Sequence, residues 1–410
     1  GEGPLKQHIV LGVGGGIAAY KACELLRRLR EAGHDVWVIP TESALEFVGR
    51  ATWEALSGNP VSTTVFDNVH DVAHVKIAQQ AKLVIIAPAT ANLLAKAAHG
   101  VADDLLTSTL LMARAPVVFA PAMHTEMWEH PATQQNVATL RERGALVVDP
   151  ANGRLTGADS GPGRLPEAAA LAQVCEVVLA RGSVAADLVG VRVLVTAGGT
   201  REPLDPVRYL GNRSSGRQGW ALAAAAVARG ASVEIIAANV DLPDPAGCTV
   251  TRVSTADALL SAVLDRAHGV DVVVMAAAVA DFRASNTAPT KIKKSDDGGV
   301  PHIELARTVD VLATLGSLPS PRPLLVGFAA ETVPAGPELV ALATSKLRKK
   351  NADLIVANSV GVDKGFESPI NEATVVSTDG VEAEVPSASK AAVAVAVWDV
   401  VLPRLPRAGA

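Results

Sequence analysis

The residues with the clearest capacity for chemistry lie between Thr196 and Arg217, where a strand-like run passes through a loop into a helical pattern. The segment reads TAGGTREPLDPVRYLGNRSSGR and holds four glycines and four arginines, which a simple strand-to-helix connection does not require. Ser214 or Ser215 can cap a helix that begins near Gly216. Free amides at such a helix start receive phosphate, and the arginines neutralise its charge. The pattern therefore predicts a phosphate-binding loop.

Two lysine clusters farther along the chain could extend this site. They are Lys291-Ile-Lys-Lys294 and Lys346-Leu-Arg-Lys-Lys350. A run of charges is usually a solvated surface, and for Lys291 both this reading and recruitment to a triphosphate are open. Asp281 follows a strand-like run directly, at a position where contacts to a nucleotide ribose or a metal ion are made.

A second glycine-rich turn, Gly12-Val-Gly-Gly-Gly-Ile17, lies between a strand-like run and a helical pattern. Its amides could bind phosphate, or the turn could be a tight connection without a ligand. Because Ile17 takes the place of the last glycine of the dinucleotide motif, a mononucleotide or flavin phosphate is favoured over NAD. Two further strand ends, 87–92 and 121–128, present polar side chains at the edge of the sheet where ligands bind.

Strands alternate with helices along the whole chain, which is typical of doubly wound, mostly parallel α/β sheets. We predict a loop at 152–163, the first helix through Leu29, strands at 8–13, 36–40, 83–87, 116–121, 145–149, 191–196, 233–237, 271–277, 324–329 and 354–357, and later helices at 218–229, 256–268 and 338–349. The alternation pauses before residue 190 and then restarts. We therefore predict two Rossmann-like domains, 1–182 and 190–410, joined by a linker at 183–189.

Composition narrows the class of protein. The chain has 410 residues, of which 49% are hydrophobic, 19% charged and only 3% aromatic, so a large core is expected and disorder is not. The net charge of −5 argues against a nucleic-acid partner. The longest uncharged stretch has 14 residues, 7–20, too short to span a bilayer. Without a signal-like start, we expect a cytoplasmic protein with no membrane partner.

Three cysteines, Cys23, Cys175 and Cys248, are far apart in the sequence. They form neither a CxxC pair nor a spacing that binds a metal ion, so we expect packed, reduced thiols.

With these motifs assembled, nearly the whole chain resembles the bifunctional family that joins phosphopantothenoylcysteine decarboxylase to phosphopantothenate–cysteine ligase in coenzyme A biosynthesis. The first half carries the resemblance at 14–21, His74, 87–92, 121–128 and 161–164. The second half carries it at 196–216, 276–281, 291–294 and 327–332. The ligase motif at 196–216 is long and highly specific. The first domain is accordingly expected to be a flavodoxin-like flavoprotein.

For the first half, the resemblance implies FMN and the decarboxylation of a cysteinyl group by way of flavin redox chemistry. His74 would be a base or would orient the substrate carboxylate. The implied FMN contacts are Gly15, Gly16, Thr41, Ser43, Thr90, Ala91, Asn92 and Met127.

For the second half, the resemblance implies that CTP activates 4′-phosphopantothenate as an acyl-cytidylate, which the amine of L-cysteine then attacks. Arg208 and Asn212 match positions that act on this intermediate, and Lys291 is a further catalytic candidate. The implied CTP contacts are Met275, Ala276, Ala277, Asp281, Lys291, Val309, Asp310, Phe328, Lys346 and Lys350. Asp281 is also the candidate ligand for Mg²⁺ or Mn²⁺. The resemblance further implies a homo-oligomer with trimeric decarboxylase contacts and dimeric ligase contacts.

Two positions depart from the family pattern. His124 stands where the family has an asparagine that binds the substrate carboxylate, and an imidazole can still donate that hydrogen bond. In the substrate lid, Gly157 stands where the family has a proton-donating cysteine. We expect Asp159, Ser160 or solvent to supply the proton, with Arg164 completing the lid.

Two alternatives belong to other classes of protein. One is an NAD(P)-dependent oxidoreductase with two glycine turns, although neither turn has the dinucleotide spacing. The other is a non-catalytic flavoprotein that regulates a partner, since a fold does not by itself fix an activity.

Overall fold

The structure is a computed structural model and describes residues 6–65, 73–154, 160–293, 300–360 and 370–406. The chain divides into two compact units. The first comprises 1–186 with the short segment 243–247, and the second comprises 187–242 and 248–410. No helix among the described residues is long and apolar enough to cross a membrane.

The first unit is built on one parallel sheet. In chain order its elements are β1 (His8–Val13), α1 (Ala19–Glu31), β2 (Asp35–Pro40), α2 (Glu42–Leu45), α3 (Arg50–Ser57), α4 (Ala73–Gln80), β3 (Leu83–Ala89), α5 (Ala91–His99), α6 (Leu105–Met112), β4 (Val117–Pro121), α7 (Thr125–Glu129), α8 (Pro131–Glu142), β5 (Leu146–Val147), β6 (Ala151–Arg154), β7 (Ser160–Arg164) and α9 (Ala168–Arg181). The sheet order is β2-β1-β3-β4-β5, and all neighbours are parallel. This is the flavodoxin-like order, which confirms the predicted fold class.

The strands of this sheet form where the chain is continuously apolar. Every residue of β3 is buried, as expected for a strand covered on both faces.

Helix α1 ends where Gly33 adopts a φ of +94°, a conformation that glycine adopts without steric cost. Its buried residues Leu25, Leu26 and Leu29 lie three and four positions apart and form one apolar face.

The second unit contains a larger mixed sheet. In chain order its elements are β8 (Arg192–Gly198), β9 (Arg201–Pro203), β10 (Tyr209–Gly211), α10 (Arg217–Ala228), β11 (Ser232–Ala238), β12 (Cys248–Val253), α11 (Ala256–Ala267), β13 (Val272–Met275), β14 (Phe282–Ala284), β15 (Leu305–Arg307), α12 (Val311–Gly316), β16 (Leu324–Glu331), α13 (Pro337–Lys350), β17 (Leu354–Ser359), β18 (Ile370–Ser377), β19 (Gly380–Ser389), α14 (Lys390–Val401) and a 3-10 turn, Leu402–Arg404.

The order of this sheet is β12-β11-β8-β13-β16-β17-β18-β19. The first six strands are parallel and follow the 3-2-1-4-5-6 order of a Rossmann fold, and the last two add an antiparallel hairpin. The chain order reverses between β8 and β13. In open α/β sheets a ligand crevice forms outside the carboxyl ends of the strands at such a point.

A buried ion-paired arginine fastens the end of this unit to its beginning. Arg229 is only 2% exposed, and its guanidinium nitrogens lie 2.8 Å from carboxylate oxygens of both Asp187 and Asp399. Helix α14 is also tied to α10, since the indole of Trp398 donates a 2.8 Å hydrogen bond to the backbone oxygen of Leu222.

All the predicted strands and helices named above are confirmed within two residues of their bounds. The loop predicted at 152–163 is wrong in part, because β6 and β7 pair there as an antiparallel hairpin. Its glycines at 153, 161 and 163 have positive φ angles, and a run rich in glycine and proline resembles a loop when only residue type is considered. The sequence reasoning also missed β12, the β18–β19 hairpin and α14.

Candidate functional site

In the first unit, three loops meet at the carboxyl ends of neighbouring strands. The amide of Gly14 after β1 donates to the backbone oxygen of Pro88 in β3 at 2.9 Å, and the amide of Thr41 after β2 donates to that of Val13 at 3.0 Å. The segments that hold Gly15 and Gly16, Thr41 and Ser43, and Thr90 to Asn92 therefore share one edge of the sheet. Since β1 and β3 flank the point where the chain order reverses, this edge is the ligand crevice of a flavodoxin-like sheet.

Two threonines shape this crevice by capping helices. The hydroxyl of Thr41 accepts from the amide of Ala44 at 3.1 Å, and that of Thr90 accepts from Leu93 at 3.2 Å. The first amides of α5, those of Ala91 and Asn92, have no partner within the helix, as at every helix start. Such amides, with the helix dipole, favour an anionic ligand.

The glycine turn is packed so closely that side chains are excluded. A Cβ on Gly15 would lie 2.0 Å from Ser43 Oγ and 2.9 Å from the Ser43 backbone carbon, and one on Gly14 would lie 2.6 Å from the backbone oxygen of Pro88. The backbone here can approach a ligand without side chains between them. The residues present therefore fit a phosphate-bearing flavin.

The hairpin β6–β7 lies against the loop that follows β4. The amide of Met123 donates to the backbone oxygen of Gly163 at 2.9 Å, and the Thr125 hydroxyl donates to that of Pro162 at 2.7 Å. His124, which lies between Met123 and Thr125, is exposed. Met127, in the helix that follows, is 46% exposed.

Arg164, at the end of β7, has an unused donor. One nitrogen of its guanidinium donates to Glu167 at 2.9 Å, whereas its Nε is buried and has no hydrogen-bond partner among the described residues. A buried donor without an acceptor is costly unless a ligand supplies one. Ser160, at the other end of β7, is exposed.

Two predicted residues of this unit cannot be placed in the site. Asp159 lies outside the described residues. His74 lies in helix α4, and its side chain is outside what the structure describes. Their predicted roles stay predictions.

In the second unit, one cavity of about 1110 Å³ opens at the carboxyl edge of the sheet. It is lined by every predicted nucleotide contact except Lys291, that is, by Met275, Ala276, Ala277, Asp281, Val309, Asp310, Phe328, Lys346 and Lys350, and also by Asn212. Asn212 and Lys350, which are 138 positions apart in the sequence, are therefore brought together at the chain reversal between β8 and β13.

The floor of the cavity follows β13 and is held by threonines of the neighbouring segment. Thr196 Oγ1 accepts from the amide of Ala277 at 3.2 Å, and Thr200 Oγ1 accepts from that of Ala280 at 2.9 Å. The Thr308 hydroxyl donates to the backbone oxygen of Ala280. These bonds fix the backbone from Met275 to Asp281, so the polar atoms of this segment are preorganised.

One wall of the cavity is cationic. Lys346 Nζ donates to the backbone oxygen of Phe328 at 2.7 Å, and Lys350 Nζ donates to a carboxylate oxygen of Asp310. Burial and the neighbouring Lys350 lower the pKa of Lys346, although Glu331, Asp310 and Asp281 act in the opposite direction. Burial raises the pKa of Asp310, but the bond from Lys350, the amide of Ala313 and the charges of Lys350 and Lys346 together outweigh it, and the net shift is downward.

A second group of cations lines the same cavity near the start of α10. It consists of Arg213, Arg217 and Lys390, and among the described residues no carboxylate lies within 4 Å of their charged nitrogens. Burial, and then the charge of Arg217, lower the pKa of Lys390. Sequence reasoning missed Lys390, which lies far along the chain in no motif. The one available signal was its place after Ser389, the N-cap of α14.

Two predicted catalytic residues are not among those that line the cavity. The Arg208 side chain donates to Asp205 Oδ2 at 3.0 Å and to the backbone oxygen of Ile292 at 2.5 Å. Lys291 is exposed and directly precedes this contact. Both residues therefore lie on a pair of loops outside the cavity wall, and their predicted roles stay predictions.

No group of three or more histidine, cysteine, aspartate or glutamate side chains among the described residues could hold a metal ion. No disulfide joins any of the three cysteines, which all lie in the described part of the chain. Cys175 is buried, and Cys23 and Cys248 are partly buried.

Comparisons with known proteins define the class of both units. The family model described as Flavoprotein matches residues 3–179, and the model of the DNA/pantothenate metabolism flavoprotein C-terminal domain matches residues 188–404. The chain is thus a flavoprotein joined to a pantothenate-metabolism domain, and the family model supports the FMN prediction.

Full-length relatives identify the particular family. The chain is 56% identical over 402 residues to the coenzyme A biosynthesis bifunctional protein CoaBC of Mycolicibacterium smegmatis, covering 96% of this chain and 97% of the relative. It is 55% identical over 406 residues to the CoaBC protein of Mycobacterium tuberculosis, covering 97% of each. The chain belongs to the CoaBC family of bifunctional enzymes of coenzyme A biosynthesis. The predicted family and enzymatic function are thereby confirmed, and the two alternative classes are set aside.

Solved structures similar to each half are also known. A crystal structure of the C-terminal domain of a CoaBC protein has 39% identity and a TM-score of 0.45, and covers 54% of this chain and 98% of its own. A mutant PPC decarboxylase complexed with pantothenoylaminoethenethiol has 27% identity and a TM-score of 0.39, and covers 42% of this chain and 97% of its own.

Proposed function

We propose that the second unit joins 4′-phosphopantothenate to L-cysteine with CTP, and that the first unit decarboxylates the product with FMN to give 4′-phosphopantetheine. The observation that carries this proposal is the single cavity lined by almost all of the nucleotide contacts that the sequence predicts. These contacts come from five segments of the chain, so their convergence is a property of the fold.

In the ligase cavity, the Lys346 and Lys350 wall would take the triphosphate of CTP, and the segment from Met275 to Ala277 together with Phe328 would take the nucleoside. A carboxylate oxygen of phosphopantothenate attacks the α-phosphorus, and pyrophosphate leaves. The amine of cysteine then attacks the acyl carbon, and CMP leaves. Cationic side chains stabilise the negative charge that develops in both steps.

Asn212 is suited to the acyl group. It lines the cavity, and its Nδ2 lies 3.4 Å from the backbone oxygen of Val279, a long contact that a better acceptor can replace. At this position the amide would donate to the acyl-phosphate oxygens. The second cationic group, Arg213, Arg217 and Lys390, has no carboxylate partner within the described part of the chain and suits the phosphate at the far end of phosphopantothenate.

A divalent cation fits this arrangement through Asp281. Mg²⁺ is commonly bound by one or two carboxylates together with substrate phosphates, so the lack of a preformed cluster among the described residues agrees with a metal that arrives with the nucleotide. Asp281 lines the cavity close enough to Lys346 to raise its pKa. We expect Mg²⁺ or Mn²⁺ to bind here only in the presence of CTP.

In the decarboxylase unit, the glycine turn at Gly15 and Gly16, the start of α5 and the Thr41–Ser43 turn would hold FMN. Bound FMN supplies the two-electron oxidation and reduction that make loss of CO2 feasible. The residues of the chain bind and orient the substrate: His124 would donate to its carboxylate, and the unused Nε of Arg164 would add a charged donor. His74 would act as a base or orient the substrate carboxylate, and Asp159, Ser160 or solvent would supply the last proton.

We expect the functional enzyme to be a homo-oligomer through both units, as the family resemblance implies. Sedimentation of the purified protein tests this expectation, and a monomer would contradict it.

One coupled assay tests the whole proposal. Purified protein should be yellow with an FMN spectrum, release pyrophosphate only with both CTP and phosphopantothenate, and release CO2 only when cysteine is added as well. Decarboxylation of synthetic phosphopantothenoylcysteine should need no CTP. Release of CO2 from that substrate without bound flavin, or ligation driven equally by every nucleoside triphosphate, would contradict the proposed cofactor or nucleotide.

A further inference from the structure

A buried carboxylate outside the cavity joins the two loops that carry Arg208 and Lys291. Asp205 is 2% exposed and lies in the loop between β9 and β10. Burial raises the pKa of Asp205, but the amides of Ile292, Val207 and Arg208 and the Arg208 side chain outweigh it and lower the pKa to about 2. The group is therefore an anion with several donors around it.

The two oxygens of Asp205 have different partners. Oδ1 accepts from the amides of Val207 at 2.8 Å and Arg208 at 2.7 Å, which shapes its own loop. Oδ2 accepts from the amide of Ile292 at 3.0 Å and from Arg208 Nε at 3.0 Å and Nη2 at 2.8 Å. One oxygen thus organises the loop, and the other holds a distant segment and a side chain.

That distant segment, residues 287–293, is here called the lysine arm. It is laid along the β9–β10 loop by further bonds: the amide of Ala288 donates to the backbone oxygen of Leu204 at 3.0 Å, and the Thr287 hydroxyl donates to that of Pro203 at 3.4 Å. Of these contacts, only those from Asp205 and Arg208 reach the residue next to Lys291.

We infer that Asp205 is a positioning residue for the ligase reaction, because its Oδ2 fixes the lysine arm and the Arg208 side chain relative to each other. The inference rests on the proposed ligase function and on the roles that the family resemblance implies for Lys291, as a contact of CTP, and for Arg208, as a residue that acts on the acyl-cytidylate. Without this carboxylate, the arm loses the bond that sets the place of Lys291, and the Arg208 guanidinium loses its counter-charge.

Because the two oxygens of Asp205 have different hydrogen-bond partners, a substitution that alters only one of them provides a selective test. In Asp205→Asn the remaining oxygen can still accept from Val207 and Arg208, but an amide NH2 faces the donors that converge on Oδ2. We expect kcat for CTP-dependent pyrophosphate release to fall about 100-fold, as for a small misplacement of reacting groups. Trypsin cleavage after Lys291 and Lys293 should become about tenfold faster as the arm detaches. Decarboxylation by the same chain should be unchanged, which controls for folding.

Two further variants complete the design. Ile292→Pro removes the amide that binds Oδ2 and leaves Asp205 in place, so it should reproduce the loss of kcat and the faster cleavage after Lys293. Cleavage after Lys291 is not compared in this variant, because trypsin does not cut a Lys–Pro bond. The matched control is Asp353→Asn. This carboxylate also binds an amide, that of Leu325 at 2.7 Å, and an arginine, Arg322, at 2.9 Å, but it lies at the opposite edge of the sheet. We expect a lower melting temperature from it and unchanged ligase kcat.

A double-mutant comparison separates positioning from a general structural effect. In a Lys291→Ala background, Asp205→Asn should cost less activity than in the wild type, because one of the two side chains that it positions is gone. Wild-type proteolysis and kcat in Asp205→Asn, or losses that multiply independently in the double variant, would overturn the inference. Full activity of Lys291→Ala alone would instead rule out the CTP contact that the resemblance implies for Lys291, and proteolysis would still decide whether Asp205 holds the arm.

Discussion

The ammonium of Lys346 is held 2.7 Å from the backbone oxygen of Phe328, which joins the last turns of helix α13 to strand β16 at the cavity wall. The side chain is therefore fixed at the place where its charge is needed. The same enclosure, together with the charge of Lys350, lowers its pKa.

The lowered pKa of Lys346 predicts an alkaline limit for CTP use. The ammonium form attracts the triphosphate, so kcat/KM for CTP should fall as pH rises through a value below the ordinary lysine pKa of about 10.4. Lys350→Met removes a like charge and leaves Asp310 unpaired, and both changes raise the pKa of Lys346. The alkaline limb of the pH profile should therefore move to higher pH, although overall affinity for CTP falls.

The control for this prediction is Lys349→Met. Lys349 also lines the cavity, but it is not among the charges that lower the pKa of Lys346. Removal of the Lys349 charge should leave unchanged the pH at which kcat/KM for CTP falls. A limb that moves equally in both variants would mean that net cavity charge, and not the Lys346–Lys350 pair, sets the limit.

Asn212→Asp should separate nucleotide binding from product formation. The substitution keeps the size of the side chain but replaces a donor by a negative charge facing the acyl phosphate. We expect the Kd for CTP to change less than about threefold and the formation of phosphopantothenoylcysteine to fall at least about 100-fold. Calorimetry and product analysis measure the two quantities. An equal loss of both would point to a folding defect instead.

Gly15→Ala should release the flavin. The added Cβ would lie within 3 Å of Ser43, including its backbone carbon, so the Thr41–Ser43 turn must move. We expect at least about a tenfold weaker retention of FMN, measured as 450 nm absorbance per chain. Gly49→Ala is the matched control, since a Cβ there meets nothing within 4 Å. Equal flavin content in the two variants would exclude the glycine turn as the cradle.

Thiol reagents should leave decarboxylation intact. Burial raises the pKa of both the Cys175 and Cys23 thiols, so little reactive thiolate forms near neutral pH. We expect iodoacetamide to spare Cys175 until the protein is denatured, as measured by mass spectrometry, with full turnover before that point. Loss of turnover on alkylation would show that a thiol elsewhere replaces the cysteine missing from the lid.

The layout of the sheets was predictable because strands buried on both faces must be continuously apolar. His8–Val13 is both the predicted and the observed first strand, and the motifs that follow such strands had to meet at the carboxyl edge. The resemblance, and not the strand pattern, supplied the proposed nucleotide contacts. Their convergence on one cavity follows from the strand pattern, since Met275 and Phe328 lie at or near the ends of adjacent parallel strands.

Contacts that depend on folding distant segments together were not predictable. Lys390 reaches the cavity only because α14 packs on α10, a fact that no local pattern encodes. Asp205, between Leu204 and Pro206, has the local pattern of an ordinary turn residue. Its burial appears only when the lysine arm, more than 80 residues later, is laid over it.

The ion pairs of Arg229 determine at which residue a stable fragment of the ligase half can begin. A fragment that begins at residue 190, where the pause in the strand–helix alternation places the predicted domain, discards Asp187 and leaves one of the two counter-ions of the buried Arg229 guanidinium. One that begins at 186 keeps both. We expect the free energy of unfolding of the shorter fragment to be lower by about 1 to 3 kcal/mol. The few residues from 186 to 189, part of the predicted linker, therefore decide whether the isolated ligase half is stable.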